Sequence, residues 1–399
     1  MGQALRVSLS TRARPRCAPA EQIRPALDPV GPVRILGCGT RDPGAAESVA
    51  ARRDTLFGPR GACLAQPEGP LYVADTGHHR LMIWDQVHGG DFSDADWQIG
   101  QRDFHGEGRN GKSRVSACSL NVPTGIAASN GRVAVADAWN HRVLIWLEPP
   151  RGNNIPADLV LGQPDFGANQ ANQGGSVSAA SLNWCYGVAF IGGRLLVADT
   201  GNRRVLIWNK LPSRNAQPAD RVLGQKDFAS RDENGGAAVG GSGMRWPHAM
   251  TAFGCGLCVA DAGNNRLMCW RDWPRDNGAS CDFVLGQHSF AACEHNGGKY
   301  WPDSTVLNMP YGVSAREDML LTADTANSRI LGWPVEDLPT GADAESLAGQ
   351  PDFHAKGDNR WEMPGRDSLC WPYAIQVRGD VAAIADSGNN RILLWRLAA

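Results

Sequence analysis

Short apolar runs rich in Val, Ile, Leu and Trp recur along the chain, separated by Gly, Pro, Asn and Asp. One stretch reads GIAA (125–128), RVAVAD (132–137), HRVLIW (141–146) and LVLG (159–162). Runs of this length bounded by turn residues predict β-strands. They are almost continuously apolar rather than cleanly alternating, which predicts strands packed on both faces.

The pattern repeats. Asp75, Asp137, Asp199, Asp261, Asp324 and Asp386 lie 62, 62, 62, 63 and 62 residues apart, each in a phrase of the type VADTGNRRVLIW. A second phrase runs in phase, as QIGQRDF, VLGQPDF, VLGQKDF, VLGQHSF and LAGQPDF. A third precedes each Asp: FGPRG, NVPTG, NWCYG, RWPHA, NMPYG and CWPYA. Self-similarity at a fixed period is the signature of a repeat architecture. Four short strands per unit, six times over, predict an all-β, six-bladed β-propeller. The last unit reaches its third strand at Trp395 with no fourth-strand phrase after it, whereas a worn copy, RILG, stands upstream at residues 34–37. An N-terminal strand at about 33–37 is therefore expected to complete the C-terminal blade, which removes the exposed edges of an open array.

Over residues 31 to 397 the chain resembles the NHL-repeat family of six-bladed propellers, on the repeated P-x-G…VAD-x-x-N-x-R-V pattern, and its GQPDF phrase resembles a bacterial variety of that family. The resemblance implies fold far more than function, because one fold hosts many activities. Relatives include protein- and RNA-binding modules, sensor domains, and lyases or hydrolases on similar rings.

The repeat makes residues 31–399 one closed domain. Residues 1–30 carry five Arg against Glu21 and Asp28, a formal +3, and read as a flexible basic tail. With a net charge of −2 for the whole chain, the propeller carries about −5 by subtraction, which argues against nucleic acid as the partner. No apolar run of about 18 residues is present, so no membrane span is expected. The eleven cysteines do not recur from unit to unit. A disulfide framework would recur, so the expectation is a reduced, cytoplasmic protein. Cys255 and Cys258 have CxxC spacing but read as strand residues, with no second pair to complete a zinc site.

A residue present in every unit serves the scaffold. Asp75/Arg80, Asp137/Arg142, Asp199/Arg204, Asp261/Arg266, Asp324/Arg329 and Asp386/Arg391 are therefore structural, the Asp accepting from the following turn and the Arg pairing with a carboxylate of its own or a neighbouring blade. The Asn between them (His78 in the first unit) is expected to take the left-handed conformation of a tight turn. The repeated Trp packs between blades, and the Gln of the GQPDF phrase satisfies backbone groups at the crossing.

Residues that break the repeat are better candidates for function. At the mouth of the central channel one position reads Arg60, Thr124, Tyr186, His248, Tyr311 and Tyr373, flanked by Trp184, Arg245, Trp246, Cys370 and Trp371. Phenols, one imidazole and guanidinium groups around a concavity suit a small, partly aromatic or anionic ligand. Trp139, Tyr300, Trp301 and Trp361, in the turns and crossing loops, are candidates for a protein-contacting surface. A metal-dependent lyase or hydrolase needs several His or carboxylate ligands on the axis, and only His248 stands there. No HxH or HExxH spacing, nucleophile elbow or phosphate loop occurs. The reading is a non-catalytic interaction propeller with a protein partner, an accessory or scaffold factor of a bacterial complex, with no cofactor or metal. The alternative is a metal-dependent lyase or hydrolase with a pocket at the channel mouth.

Overall fold

A computed structural model describes residues 23–37, 49–87 and 89–398. Six four-stranded antiparallel meanders stand around a central axis. The first blade comprises Gly61–Leu64, Leu71–Asp75, Arg80–Trp84 and Trp97–Ile99, from the axis outward. Each innermost strand touches the next, and the innermost strand of the sixth blade, Pro372–Arg378, touches that of the first, so the ring is closed.

Both-face burial is literal. In Arg194–Asp199 of the third blade, Leu195 and Val197 join one apolar cluster with the second blade, while Leu196 and Ala198 join another with the fourth. Successive side chains on a strand point to opposite faces, so one run of apolar residues feeds two interfaces. Six such clusters, one per blade junction, make up the core of the described residues.

Near the axis the strands approach so closely that side chains do not fit between them. A Cβ on Gly61 would lie 2.0 Å from the Thr124 carbonyl oxygen, and one on Gly187 would lie 1.7 Å from that of His248.

The fourth strand of the sixth blade is Arg34–Gly37, paired antiparallel with Arg391–Arg396. The segment before it is also part of the fold, which corrects the expectation of a tail running to residue 30. In blades one to five the repeated Trp donates its indole N–H to a carbonyl nine residues on, as Trp146 does to Ile155 and Trp208 to Gln217. Trp395 donates instead to Asp28, 367 residues back in the chain. The loops between third and fourth strands also latch onto the preceding blade, Asn154 N–H to Gln98 and Ala216 N–H to Val160. Ala26 N–H makes the equivalent bond to Leu347, beside a short parallel pairing of Arg24–Pro25 with the fifth blade. Ala26, Leu27 and Ile35 are buried in the junction of the fifth and sixth blades. Residues 24–37 thus replace a whole missing loop and strand, and sequence reasoning saw only the strand because only the strand keeps the repeat's letters.

The repeated Asp and Arg are buried in every blade. The two partners expected for the Arg reduce to one, the carboxylate of its own blade. Arg80 pairs with Asp75, Arg142 with Asp137, Arg204 with Asp199, Arg266 with Asp261, Arg329 with Asp324 and Arg391 with Asp386, each through Nε at 2.7–3.1 Å. In the first five blades the Arg gives its neighbours hydrogen bonds to backbone carbonyls on either side, which the sequence reading did not foresee, while Arg391 reaches only Gly365 and Ser368 of the preceding loop among the described residues. Arg142 donates to Phe166, Ser116 and Ser119, and Arg204 to Phe228, Ser178 and Ser181. Arg266 donates to Phe290, Gly240 and Gly243, and Arg329 to Phe353, Asp303 and Val306.

The Asp also differs from expectation. Its second oxygen accepts a backbone N–H from the third phrase, sixteen or eighteen residues earlier rather than in the following turn (Asn183 to Asp199, 2.7 Å; Phe57 to Asp75, 2.7 Å). The Asn three residues after the Asp is not the left-handed residue. It donates to the Asp and pairs reciprocally with the Asn of a crossing loop (Asn202 with Asn172, Asn140 with Asn110). The residue after it takes the positive φ: His79, His141, Arg203, Asn265, Ser328 and Asn390. The crossing Gln residues close carbonyls of the turn and loop as expected.

Removing one partner of a buried ion pair costs about 3–5 kcal/mol. Asp199→Ala should therefore lower the unfolding midpoint sharply in denaturant titration. Deleting residues 24–37 should do at least as much, since it opens the ring, and an unchanged melting temperature would show that the ring closes by other contacts.

Candidate functional site

The turns that follow the repeated Asp, the third phrases and part of one crossing loop surround a funnel of about 1160 Å³ on the axis. The third phrases are pinned to this face by the buried Asp residues. None of the six Asp–Arg pairs lines the funnel, so Arg142, Arg266, Arg329 and their counterparts act on it only through the backbone they hold. Phe57, Trp139, Trp184, Trp246 and Trp371 form its upper wall, all between 41% and 52% exposed. Aromatic rings half in water on a concave wall are unusual in a monomer's surface and common in interfaces.

The floor is an aromatic diaphragm. Tyr186 and His248 lie 5.1 Å apart between ring centroids, His248 and Tyr311 4.4 Å, and Tyr311 and Tyr373 4.4 Å with nearly parallel planes. The Arg60 guanidinium lies over the Tyr373 ring at 4.9 Å, within cation–π range. These five residues also line a second cavity of about 340 Å³ on the other side, between the innermost strands. Arg378 crosses the far end of that cavity, from the sixth blade to carbonyls of the first and second (Leu64 and Ala128).

His248 is buried and its Nδ1 bonds the Trp246 carbonyl at 2.9 Å, so that nitrogen carries the proton. Burial pushes its pKa down to about 4, the Arg60 charge acts in the same direction, and the Trp246 carbonyl opposes them. The imidazole is neutral at neutral pH, with Nε2 as an acceptor. Burial raises the phenol pKa values of Tyr311 and Tyr373, with Arg60 pulling the other way, so the floor presents neutral rings and one cation.

Five of the expected mouth residues, Arg60, Tyr186, His248, Tyr311 and Tyr373, come together. Thr124 does not join them: it is buried and its hydroxyl donates to the Tyr186 carbonyl at 2.9 Å. Arg245 lies outside the funnel lining, within 3.2 Å of Glu233 and 5.3 Å from the Trp246 ring. Trp139 lines the funnel, whereas Tyr300, Trp301 and Trp361 sit on crossing loops away from it. Lys356 covers the Tyr300 ring at 3.8 Å, and Trp361 remains exposed. Sequence reasoning missed Phe57, Arg203, Arg231, Asp232 and Glu233, which also line the funnel. The last three come from a crossing loop whose charge was visible but whose reach was not. Among the described residues no three His, Cys, Asp or Glu side chains are placed to hold a metal, and no helix is long and apolar enough to cross a membrane.

A six-fold ring of four-stranded blades with a ligand-sized funnel on its axis defines this chain as a six-bladed β-propeller. The NHL repeat family model matches residues 120–146, within the second blade. It is 24% identical over 379 residues to NHL repeat-containing protein 2 of Homo sapiens, an alignment covering 86% of this chain and 47% of that protein. The chain thus spans about half the length (47%) of this curated relative. A protein of unknown function from Bacteroides thetaiotaomicron has a similar fold, with a TM-score of 0.50 at 13% identity over 91% of this chain and 73% of that one. The WD40 β-propeller domain of Doa1 matches with a TM-score of 0.48 at 5% identity, covering 92% of this chain and 96% of that one.

A His held neutral in the fold loses stability for the protein as pH falls from the unfolded pKa, near 6.5, toward the folded value, about 4. The unfolded state takes up a proton there that the folded state refuses. His248→Phe removes that proton uptake. Its melting temperature relative to the unaltered protein should therefore rise as pH drops from 6.5 to 4, by an amount corresponding to up to about 3 kcal/mol; parallel calorimetric curves would show His248 to be protonated freely.

Proposed function

We propose that this chain is a protein-interaction propeller whose funnel face docks a segment of a protein partner. It would act as an accessory or scaffold factor of a cytoplasmic bacterial complex. The observation that carries the reading is the wall of Phe57, Trp139, Trp184, Trp246 and Trp371 around the funnel. Tyr, Trp and Arg dominate binding energy at interfaces, and rigid scaffolds commonly present such groups from turns and loops. The volume, about 1160 Å³, lies above the range of small-molecule pockets, which run to about 1,000 Å³, and suits an inserted peptide better. The free state of the nine described cysteines fits a reducing compartment. The negative formal charge of the whole chain does not suit a phosphate backbone.

Affinity purification from source cells with the tagged chain, run in parallel with Trp184→Ala/Trp371→Ala, tests this. A stoichiometric protein should co-elute with the unaltered chain and be lost from the double variant, each Trp contributing about 2 kcal/mol or more. Equal recovery on both would move the interface elsewhere, and no stoichiometric protein on either would reject the interaction reading.

A further inference from the structure

At the funnel rim a hydrogen bond repeats around the ring. In five of the six Asp turns the left-handed residue closing the turn accepts the backbone N–H of the third-phrase residue of the next blade. His79 accepts from Val122 (3.0 Å), His141 from Trp184 (3.0 Å), Asn265 from Met309 (2.9 Å), Ser328 from Trp371 (3.2 Å) and Asn390 from Gly58 (2.8 Å). Burial lowers the pKa of both His79 and His141, which keeps their Nδ1 lone pairs available. Between the third and fourth blades the acceptor's position is taken by Arg203, and a guanidinium cannot accept. Trp246 N–H turns instead to Asp261, 3.2 Å away, which already takes the Arg245 N–H at 2.8 Å. Val122, Trp184, Met309 and Trp371 have φ between 48° and 55°, while Trp246 is not left-handed. Arg203 therefore breaks a scaffold bond, and the local backbone has rearranged around the break.

Nothing in the scaffold requires an arginine there. Its Nη1 donates to the Gly201 and Arg231 carbonyls at 3.3 Å, and its buried Nε has no hydrogen-bond partner among the described residues. No carboxylate of the described residues pairs with it or with Arg60 on the floor. Arg60, Arg203 and Arg231 line the funnel against two acids, Asp232 and Glu233, and Glu233 is already held by Arg245 at 3.2 Å. A protein of formal charge −2 thus concentrates unneutralised guanidinium groups in one apolar-walled concavity. Low-dielectric walls focus that field, and the planar guanidinium fork fits a carboxylate with two parallel hydrogen bonds.

We infer that the funnel recognises an acidic peptide: a partner segment carrying a carboxylate, from Asp, Glu or a free C-terminus, next to an aromatic or large apolar side chain. Arg203 and Arg60 bind the carboxylate, and the Trp wall takes the apolar neighbour. This rests on the funnel face being the docking surface proposed above. The neutral acceptor at His248 Nε2 is free for a peptide N–H.

Selection of random dodecapeptides on the full chain tests the inference, with one library displayed with free C-termini and one with blocked C-termini. Both should be panned on the unaltered chain, on Arg203→Asn, on Arg60→Gln and on Trp184→Ala/Trp371→Ala. Arg203→Asn restores the acceptor found in other blades, so its melting temperature should hold or rise while selected acidic peptides bind about tenfold or more weaker. Acid enrichment in both libraries points to side chains, and enrichment only with free C-termini points to a terminal carboxylate. Enriched peptides without acids, or acidic peptides bound equally by Arg203→Asn and Arg60→Gln, would overturn the carboxylate assignment and leave the docking face standing. Peptides retained by the double Trp variant, or no enrichment on the unaltered chain, would overturn the docking face as well.

Discussion

An aspartate without exposed surface stays ionised only if its lone pairs are taken up. In this ring each repeated Asp meets that demand with its own blade's arginine and a backbone N–H of the third phrase. In the first five blades the arginine then spends its remaining donors on the segments before and after the blade, as Arg204 does. One carboxylate thereby locates the end of the second strand, the start of the third, the entry to the innermost strand and two loops. The funnel wall inherits its position from this knot, because the residue that donates to Asp199, Asn183, directly precedes Trp184.

Blade number, strand order and both-face burial were legible because they are properties of letters repeated six times. The closing strand was legible for the same reason, in the worn RILG copy. Residues 24–30 were not, since the Ala26 and Asp28 contacts use backbone groups, which any side chain would allow. The reach of Arg142, Arg266 and Arg329 into the crossing loops was hidden likewise, because it ends on carbonyls of residues as different as Ser119, Gly243 and Val306. The partners within the turn were also partly misassigned. Asn and its successor are adjacent, and spacing alone does not say which takes the left-handed conformation and which turns its amide to the crossing loop. His141 and Arg203 adopt φ of 53° and 58° without being glycine or asparagine.

The site was legible only where it coincided with the repeat. Aligning the units brought Arg60, Tyr186, His248, Tyr311 and Tyr373 to one position, and the ring follows from that alignment. Thr124 shared the position but not the role, because a short hydroxyl reaches its neighbour's carbonyl before it reaches the axis. Arg203 was overlooked because an arginine in a polar turn resembles a solvated residue. Its meaning appears only against the hydrogen bond that five other blades make. Arg231, Asp232 and Glu233 lie on a crossing loop where the units differ in sequence, and register alone does not say how far such a loop leans toward the axis.

The closing segment has a consequence for synthesis. Trp395 meets Asp28 across 367 residues of chain, so residues 24–37 find their partners in the sixth blade only after the five blades between them have been made. Until then the junction of the sixth and first blades does not exist. Five blades can be built in order behind the ribosome, but the ring is an arc with two raw ends. A propeller of this design stays open while its blades are made in turn, and it becomes a closed object in a single step once the sixth is complete.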